Sequence, residues 1–388
     1  MLTFKLAFKN IYGAGLITWL NVIALSFAYV AIIFIQGLIS GMTHQMETAN
    51  INAQYGNGQY WHTLYDPFDP LTLEDAHGKI PAELQQLVEQ KKALPILIRQ
   101  ATIYPQGRMQ NVLLKGIETD QTILTIPTSS LAGDNGSIPA LIGSRMAKTM
   151  GLNLDDDVIV RWRDANGMFD ADEVKIVAIM NTNASDIDNG QLWIPIDRMR
   201  KMTSMPNEAT MLVLHKDLHF NQPVSSWQYK DLNFLLKDLR AAMKVEAIGD
   251  SLFYIVLLLL AMLAIFDTQF LSLNRRRKEM GTLMALGMTR SDLIKLFTME
   301  GAMYALLAAV AAAIYGAPLF IYLASNGIAM PKGVDNFGYG IGDVLYPIFT
   351  FDLILKTVLI VLIITTIVSY LPARKIAKLN PTDALRGK

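Results

Sequence analysis

The 388-residue chain has no cysteine. A disulfide framework and a redox role for the chain itself are therefore excluded, while an oxidising or a reducing compartment is equally permitted. It has no G-x-x-x-x-G-K-[ST] phosphate loop, so it does not cradle ATP in the usual manner. A G-x-S-x-G nucleophile elbow is missing too, and no pair of carboxylates has a diagnostic spacing. Charge is scarce, at 18% of residues, whereas 52% are hydrophobic and the mean hydropathy is +0.30. Such a chain is too apolar for an average soluble protein and too polar to lie wholly within a membrane. The formal net charge of zero gives no reason to expect a nucleic-acid partner, but it hides a segregation. Residues 42–246 hold 19 Lys+Arg against 25 Asp+Glu, and the rest of the chain holds 15 against 9.

What is present in abundance is long apolar sequence. Runs at 16–41, 247–273, 297–325 and 349–372 are each long enough to span a bilayer as a helix. The second ends in Asn274-Arg275-Arg276-Arg277-Lys278, a cationic block that stays cytoplasmic, and the basic tail at 373–388 agrees with it. Both termini are therefore expected in the cytoplasm. Residues 1–15, with Lys5 and Lys9, read as an amphipathic helix in the inner interface. A cleaved leader would have a shorter apolar core followed by a small-residue cleavage site, and Ile32 to Gly41 offers none.

The fold class expected is an integral membrane α-helical protein with four transmembrane helices and a large α+β extracytoplasmic domain, 42–246, between helices 1 and 2. That insert is long enough for its own core. Ile96 to Tyr104 and Met109 to Ile117 flank Pro105-Gln106-Gly107 as a hairpin, and Asp157 to Arg163 and Glu173 to Met180 flank Asp164-Ala165-Asn166-Gly167 as another. Helical patterns fall at Pro81 to Lys92, Ser144 to Met150 and Asp197 to Met202. Lys230 to Gly249 has Leu232, Leu235, Leu236, Leu239 and Met243 at helical spacing, and reads as a stalk running into the second span. A short outer loop, 326–348, joins spans three and four.

Candidate sites are sparse. Within the cytoplasmic segment 274–296, Gly287 interrupts a helix, and Thr289-Arg290-Ser291-Asp292 is a capping box that restarts one. Asp267 is an ionisable residue well inside a span, about 12 Å before Arg275 at ~1.5 Å per residue. Its expected role is hydrogen bonding between helices rather than proton coupling. Glu300, near the cytoplasmic interface, is less informative. Gly301, Ala305, Ala309 and Ala313, followed by Ala317, recur every four residues and would let helices pack closely; Asn21, Ser26 and Gln36 would bond across helix contacts. Asp352 and Lys356 form a surface pair four apart. His215 and His219 have H-x-x-x-H spacing without the catalytic glutamate, and Asp186 to Gly190 departs from a calcium loop at Gln191. No metal or other cofactor is expected on this chain.

The run Arg277-Lys278-Glu279-Met280-Gly281-Thr282-Leu283-Met284-Ala285-Leu286-Gly287-Met288-Thr289 resembles the R-x-x-E-I-G-x-L-R-A-L-G-A-S signature of FtsX-type permeases, the membrane subunits of mechanotransmission ABC transporters. The tail from Pro372 to Arg386 is similar to that family's closing P-x-R-x-A-x-x-x-x-P-x-x-A-L-R. Leu141 to Leu152 resembles a G-x-x-L-A-x-x-L-G-L-x-x-G-D-x-V element of its MacB-like periplasmic domains, departing at Asp155, where the family usually has glycine. The resemblance implies a non-catalytic, multi-pass inner-membrane permease that works as a dimer, with a second copy or a paralogue. Two cytoplasmic ABC ATPase subunits would carry the ATP and magnesium. It places coupling to that ATPase on Glu279, Gly281, Leu283, Ala285, Leu286, Gly287 and Thr289. Size and layout look most like the lipoprotein-releasing permeases, which pass cargo to a periplasmic carrier. Adaptor-dependent export is the rival reading, and regulation of a periplasmic hydrolase or a signalling system is a third.

Overall fold

A computed structural model describes residues 16–133, 136–182, 184–218, 222, 224, 226–330 and 344–376. The expected amphipathic segment 1–15, most of the loop 326–348, the tail beyond residue 376 and His219 lie outside the described residues.

In chain order the elements are α1 (Leu16–Asn50), β1 (Gln59–His62), β2 (Gly78–Lys79), α2 (Ala82–Glu89), β3 (Ala93–Ile103), β4 (Gln110–Ile117), β5 (Ile138–Gly143) and α3 (Ser144–Met150). Then come β6 (Asp157–Arg163), β7 (Phe169–Met180), α4 (Ser185–Asp188), β8 (Gln191–Pro195), α5 (Ile196–Met202), β9 (Glu208–Ala209), β10 (Met211–Leu214), β11 (Trp227–Lys230) and α6 (Leu232–Leu235). The chain closes with α7 (Lys237–Arg275), α8 (Arg277–Ala285), α9 (Arg290–Asn326), β12 (Ile328–Ala329), β13 (Val344–Leu345) and α10 (Phe351–Ile376). They form two compact units: an α/β unit, His44–Ala242, and a helical unit that takes the described residues up to Thr43, Met243–Ala329 and those from Val344 on.

The α/β unit is built on a nine-stranded mixed sheet in the order β11-β1-β10-β3-β4-β8-β5-β7-β6. Both expected hairpins form: β3 pairs antiparallel with β4, and β6 with β7. Strand β3 is long enough to pair also with β6, which closes six strands into a barrel. Alternation along each strand fills the interior, with Leu97 and Ile103, Val112 and Leu114, Ala140 and Ile142, Val160 and Trp162, and Leu192 and Ile194. Asp155 has φ +69°, so the aspartate keeps the left-handed turn that glycine serves elsewhere, as short polar side chains can. Asp188 is buried and caps α3 from a distance, accepting from the Ser144 and Arg145 amides at 2.7 and 3.1 Å.

One expectation needs correction. Lys230 to Gly249 is not a single helix: Lys230 ends β11, Asp231 caps the short α6 by accepting from the Phe234 amide, and α7 starts at Lys237. Burial of Leu235 and Leu236 explains the break, because the apolar positions read as a helix stripe are used to seat a turn in the α/β unit. Within this unit Arg240 holds Glu47 through two bonds, 2.7 and 3.1 Å, tying the start of α7 to the far end of α1.

Among the described residues, three helices are long and apolar enough to cross a membrane: Trp19–Tyr55, Arg290–Asn326 and Phe351–Lys375. In the helical unit Tyr315 donates to Ser26 Oγ at 3.1 Å, and Thr357 to Gln36 Oε1 at 3.1 Å. Both are the cross-helix bonds expected of α1. Asp352 and Lys356 pair at 2.6 Å in the first turns of α10.

Candidate functional site: the α8–α9 turn

The segment that links α7 to α9 is a helix, a tight turn and a capped restart. Helix α8 ends at Ala285, with Leu286 as its C-cap; Gly287 follows at φ +95°, a conformation that a Cβ would strain. Thr289 then caps α9, its Oγ1 accepting from the Asp292 amide at 3.2 Å and lying 2.6 Å from Asp292 Oδ2. The capping box thus fixes where α9 begins.

The turn is anchored from beneath. Met280, Leu293, Phe297 and Ala373 form a buried cluster, with Leu283, Met288 and Ile294 packed against it. Beside that cluster Arg276 makes the polar contacts that join the segment to α9. Its Nη1 meets Glu300 Oε1 and Oε2 at 3.0 and 3.2 Å, its Nε meets Glu279 Oε2 at 2.7 Å, and its guanidinium lies over the Phe297 ring at 5.3 Å. Burial opposes the charge on Arg276, but Glu300 and Glu279 outweigh it and hold the guanidinium above its ordinary value. Glu300 is only 2% exposed and also accepts from Tyr304 Oη at 3.4 Å. An ion pair so placed ties the end of α7 to α9 and leaves little freedom for the turn between them.

The seven expected coupling residues separate into three groups. Gly281 is buried and Leu283 half-buried against the helical core, so they seat the segment. Glu279 is exposed and spends its carboxylate on Arg276. Ala285, Leu286, Gly287 and Thr289 are exposed, and Leu286 is 80% so. Leu286 therefore stands out from the turn while its neighbours Leu283 and Met288 pack inward. Reasoning from the sequence missed the Arg276–Glu300 pair; the available signal was a lone carboxylate one to two turns inside an apolar helix, which demands a counter-charge.

The chain's similarity to known proteins bears on both units. Residues 18–219 match the MacB-like periplasmic core domain, and residues 251–381 match the FtsX-like permease C-terminal domain. This chain belongs to the FtsX-type ABC transporter permeases. It is 26% identical over 132 residues to an uncharacterized ABC transporter permease of Methanocaldococcus jannaschii, a similarity that covers 34% of this chain and 30% of that relative. It also resembles the crystal structure of the extracellular domain of the noncanonic ABC-type transporter YknZ from Gram-positive bacteria, at 12% identity and a TM-score of 0.27, over 45% of this chain and 98% of that one.

In this permease the remaining candidates fall as follows. Asp267 is exposed on α7. Gly301 and Ala305 are buried, Ala309 is half-buried and Ala313 exposed, so the four-residue row does not stay on one face. At 3.6 residues per turn each four-residue step turns the position by about 40°, and the buried row is instead Gly301, Ala305, Ala308, Ala312 and Gly316. A Cβ on Gly301 would fall on the Ser369 side chain, which shows how closely α9 and α10 approach. His215 stands 3.5 Å from Asp217 Oδ2, and no group of three or more possible metal-binding side chains gathers among the described residues.

Proposed function

We propose that this permease is the membrane subunit of a mechanotransmission-type ABC transporter of the lipoprotein-releasing kind, and that the α8–α9 turn is where a separate cytoplasmic ATPase docks. The observation that carries the reading is Leu286, 80% exposed at the tip of a turn anchored by the bond from Arg276 to the buried Glu300 and by a buried apolar cluster. A rigid knob passes on displacement that a mobile loop would absorb.

In this reading α1, α7, α9 and α10 are four spans, both termini are cytoplasmic in the inner membrane, and residues 42–246 form the periplasmic domain. Helix α7, 39 residues long, is the span whose apolar stretch at 255–265 follows a charged start. Two permease chains, identical or paralogous, work with two ATPase subunits that bind the ATP and magnesium. Hydrolysis moves the turn, and helices continuous through the membrane carry that motion to the periplasmic domains. Cargo is released from the outer leaflet to a carrier without crossing the bilayer.

The test is Leu286→Asp in the reconstituted complex. A charge forced into an apolar docking groove is costly, so the variant should insert, dimerise and keep a folded periplasmic domain while losing ATPase in a pull-down, or losing the response of ATP turnover to cargo. Normal association together with a normal response in this variant overturns the docking assignment.

A further inference from the structure

The α/β unit gathers three titratable side chains that the docking turn does not use: His62 at the end of β1, His77 just before β2 and Glu208 in β9. Backbone pairing brings them together. The His62 amide donates to the Thr210 carbonyl at 3.0 Å, and β2 pairs with β9 through Gly78 with Ala209 and Lys79 with Glu208. His77 Nδ1 meets Glu208 Oε2 at 2.5 Å, each side chain being 20% exposed. The His62 ring lies against Gly78, where a Cβ would come within 3.2 Å of Cδ2 and Nε2, and it stands edge to face with Trp227 of β11 at 5.9 Å. These contacts close the base of the segment 63–77.

The surroundings of His62 favour its neutral form. Its Nδ1 accepts from the Leu64 amide at 3.4 Å, so the neutral ring carries its proton on Nε2. Protonation of Nδ1 would replace that acceptor with a donor and set two N–H groups against each other. Burial, and then His77, push the His62 pKa below its ordinary 6.5; Glu208, already bonded to His77, opposes them without outweighing them. Trp227, the neighbour from β11, carries no charge, and Arg200 of α5 is turned to the Glu208 backbone carbonyl, to which its Nε donates at 3.3 Å. With the folded pKa depressed, the stability contributed by this contact is whole above about 6.5 and is lost as pH falls through the lower folded value.

We infer that His62, His77 and Glu208 form an acid-released clasp: on acidification His62 takes a proton beside His77, drops the Leu64 amide and lets β2 part from β9. The clasp makes the presentation of Phe68 and Leu71, which stand 79% and 81% exposed on the segment it closes, depend on the pH of the solvent around the α/β unit. It goes beyond the docking reading, since it belongs to the α/β unit alone and needs neither the ATPase nor a cargo.

Hydrogen exchange of the full-length permease in nanodiscs provides the test, read by mass spectrometry from about pH 8 to about pH 5 and corrected for the intrinsic pH dependence of amide exchange. Peptides covering 62–79 and 205–210 should gain exchange several-fold on acidification, while those of β3 and β4 stay protected. His62→Asn puts an amide oxygen where Nδ1 accepts and cannot titrate, so these peptides should stay closed at both ends of the range. His77→Asn removes the second imidazole and should move the opening to higher pH, which reads the same contact even if the His62 variant misfolds. His215→Asn, at a histidine outside the clasp, should open as the unaltered chain does. No acid-induced gain in the unaltered chain overturns the clasp. So does an opening that persists in His62→Asn or is unmoved in His77→Asn, and so does a His62→Asn chain that is open at both ends of the range.

Discussion

The two units of this permease sort their residues by different rules. In the α/β unit the barrel interior takes large aliphatic side chains, among them Leu97, Ile103, Leu114 and Ile142, and polar residues face outward. In the helical unit the buried row of α9 is Gly301, Ala305, Ala308, Ala312 and Gly316, while Leu306, Val310 and Ile314 face out. Apolarity separates inside from outside in the first; in the second both sides are apolar, and the buried face of α9 mixes Met303, Tyr304 and Phe320 with the small residues that allow close approach. The cause is the solvent: lipid tails are as apolar as leucine, so helices gain nothing by hiding leucine and gain by close packing and polar bonds. Polar pairing therefore matters more where it occurs in the helical unit, as between Arg276 and Glu300.

A large effect is expected at that pair. Glu300→Ala leaves a half-buried guanidinium with only Glu279, and should cost about 2–3 kcal/mol in the stability of the permease in detergent, with Arg276→Met/Glu300→Leu recovering most of it. Thermal unfolding of the single and double variants measures this; a double variant as unstable as the single one would mean that packing, not charge, holds the turn.

A pair of leucines sharpens the contrast directly. Leu114→Ala in the barrel should cost about 3 kcal/mol, whereas Leu306→Ala on the outer face of α9 should cost less than about 0.5 kcal/mol. Equal losses in denaturant titrations of the two variants would break the distinction between leucines that are hidden from solvent and leucines that face it.

The smallest effect concerns the surface of the α/β unit. Burial, and then the charge of Asp120, raise the Glu118 pKa above its ordinary 4.5. The folded state therefore binds the proton more tightly than the unfolded chain, and stability is lost as pH rises through the raised value. Glu118→Gln removes that loss. It should raise the melting temperature slightly at neutral pH, with the gain vanishing as pH falls toward 4.5; a gain independent of pH in a thermal-shift series would assign it to something other than the carboxylate.

Local pattern carried far in this chain. Runs of apolar residues announced α1, α9 and α10, turn residues announced the β3–β4 and β6–β7 hairpins, and Thr289 to Asp292 announced the restart of α9, because each of these depends on residues within a few positions of one another. The break at Gly287 was likewise legible as a turn between two helices, though not which of its residues face out.

Distance along the chain marks what the sequence left undetermined. The parallel pairing of β4 with β8 and the closure of the barrel by β3 and β6 join strands far apart in sequence, and no local preference chooses among such partners. The break at Leu236 arose because burial in the α/β unit overrode a good helical stripe. Arg276 was legible as one of a cationic block and Glu300 as a lone acid, yet only the fold, which brings the α7–α8 junction beside α9, makes them a pair. Sequence determined which segments seek lipid and which seek water; tertiary structure decided which side chains meet, because that depends on the rotation of each helix about its axis, and a shift of one residue turns it by about 100°.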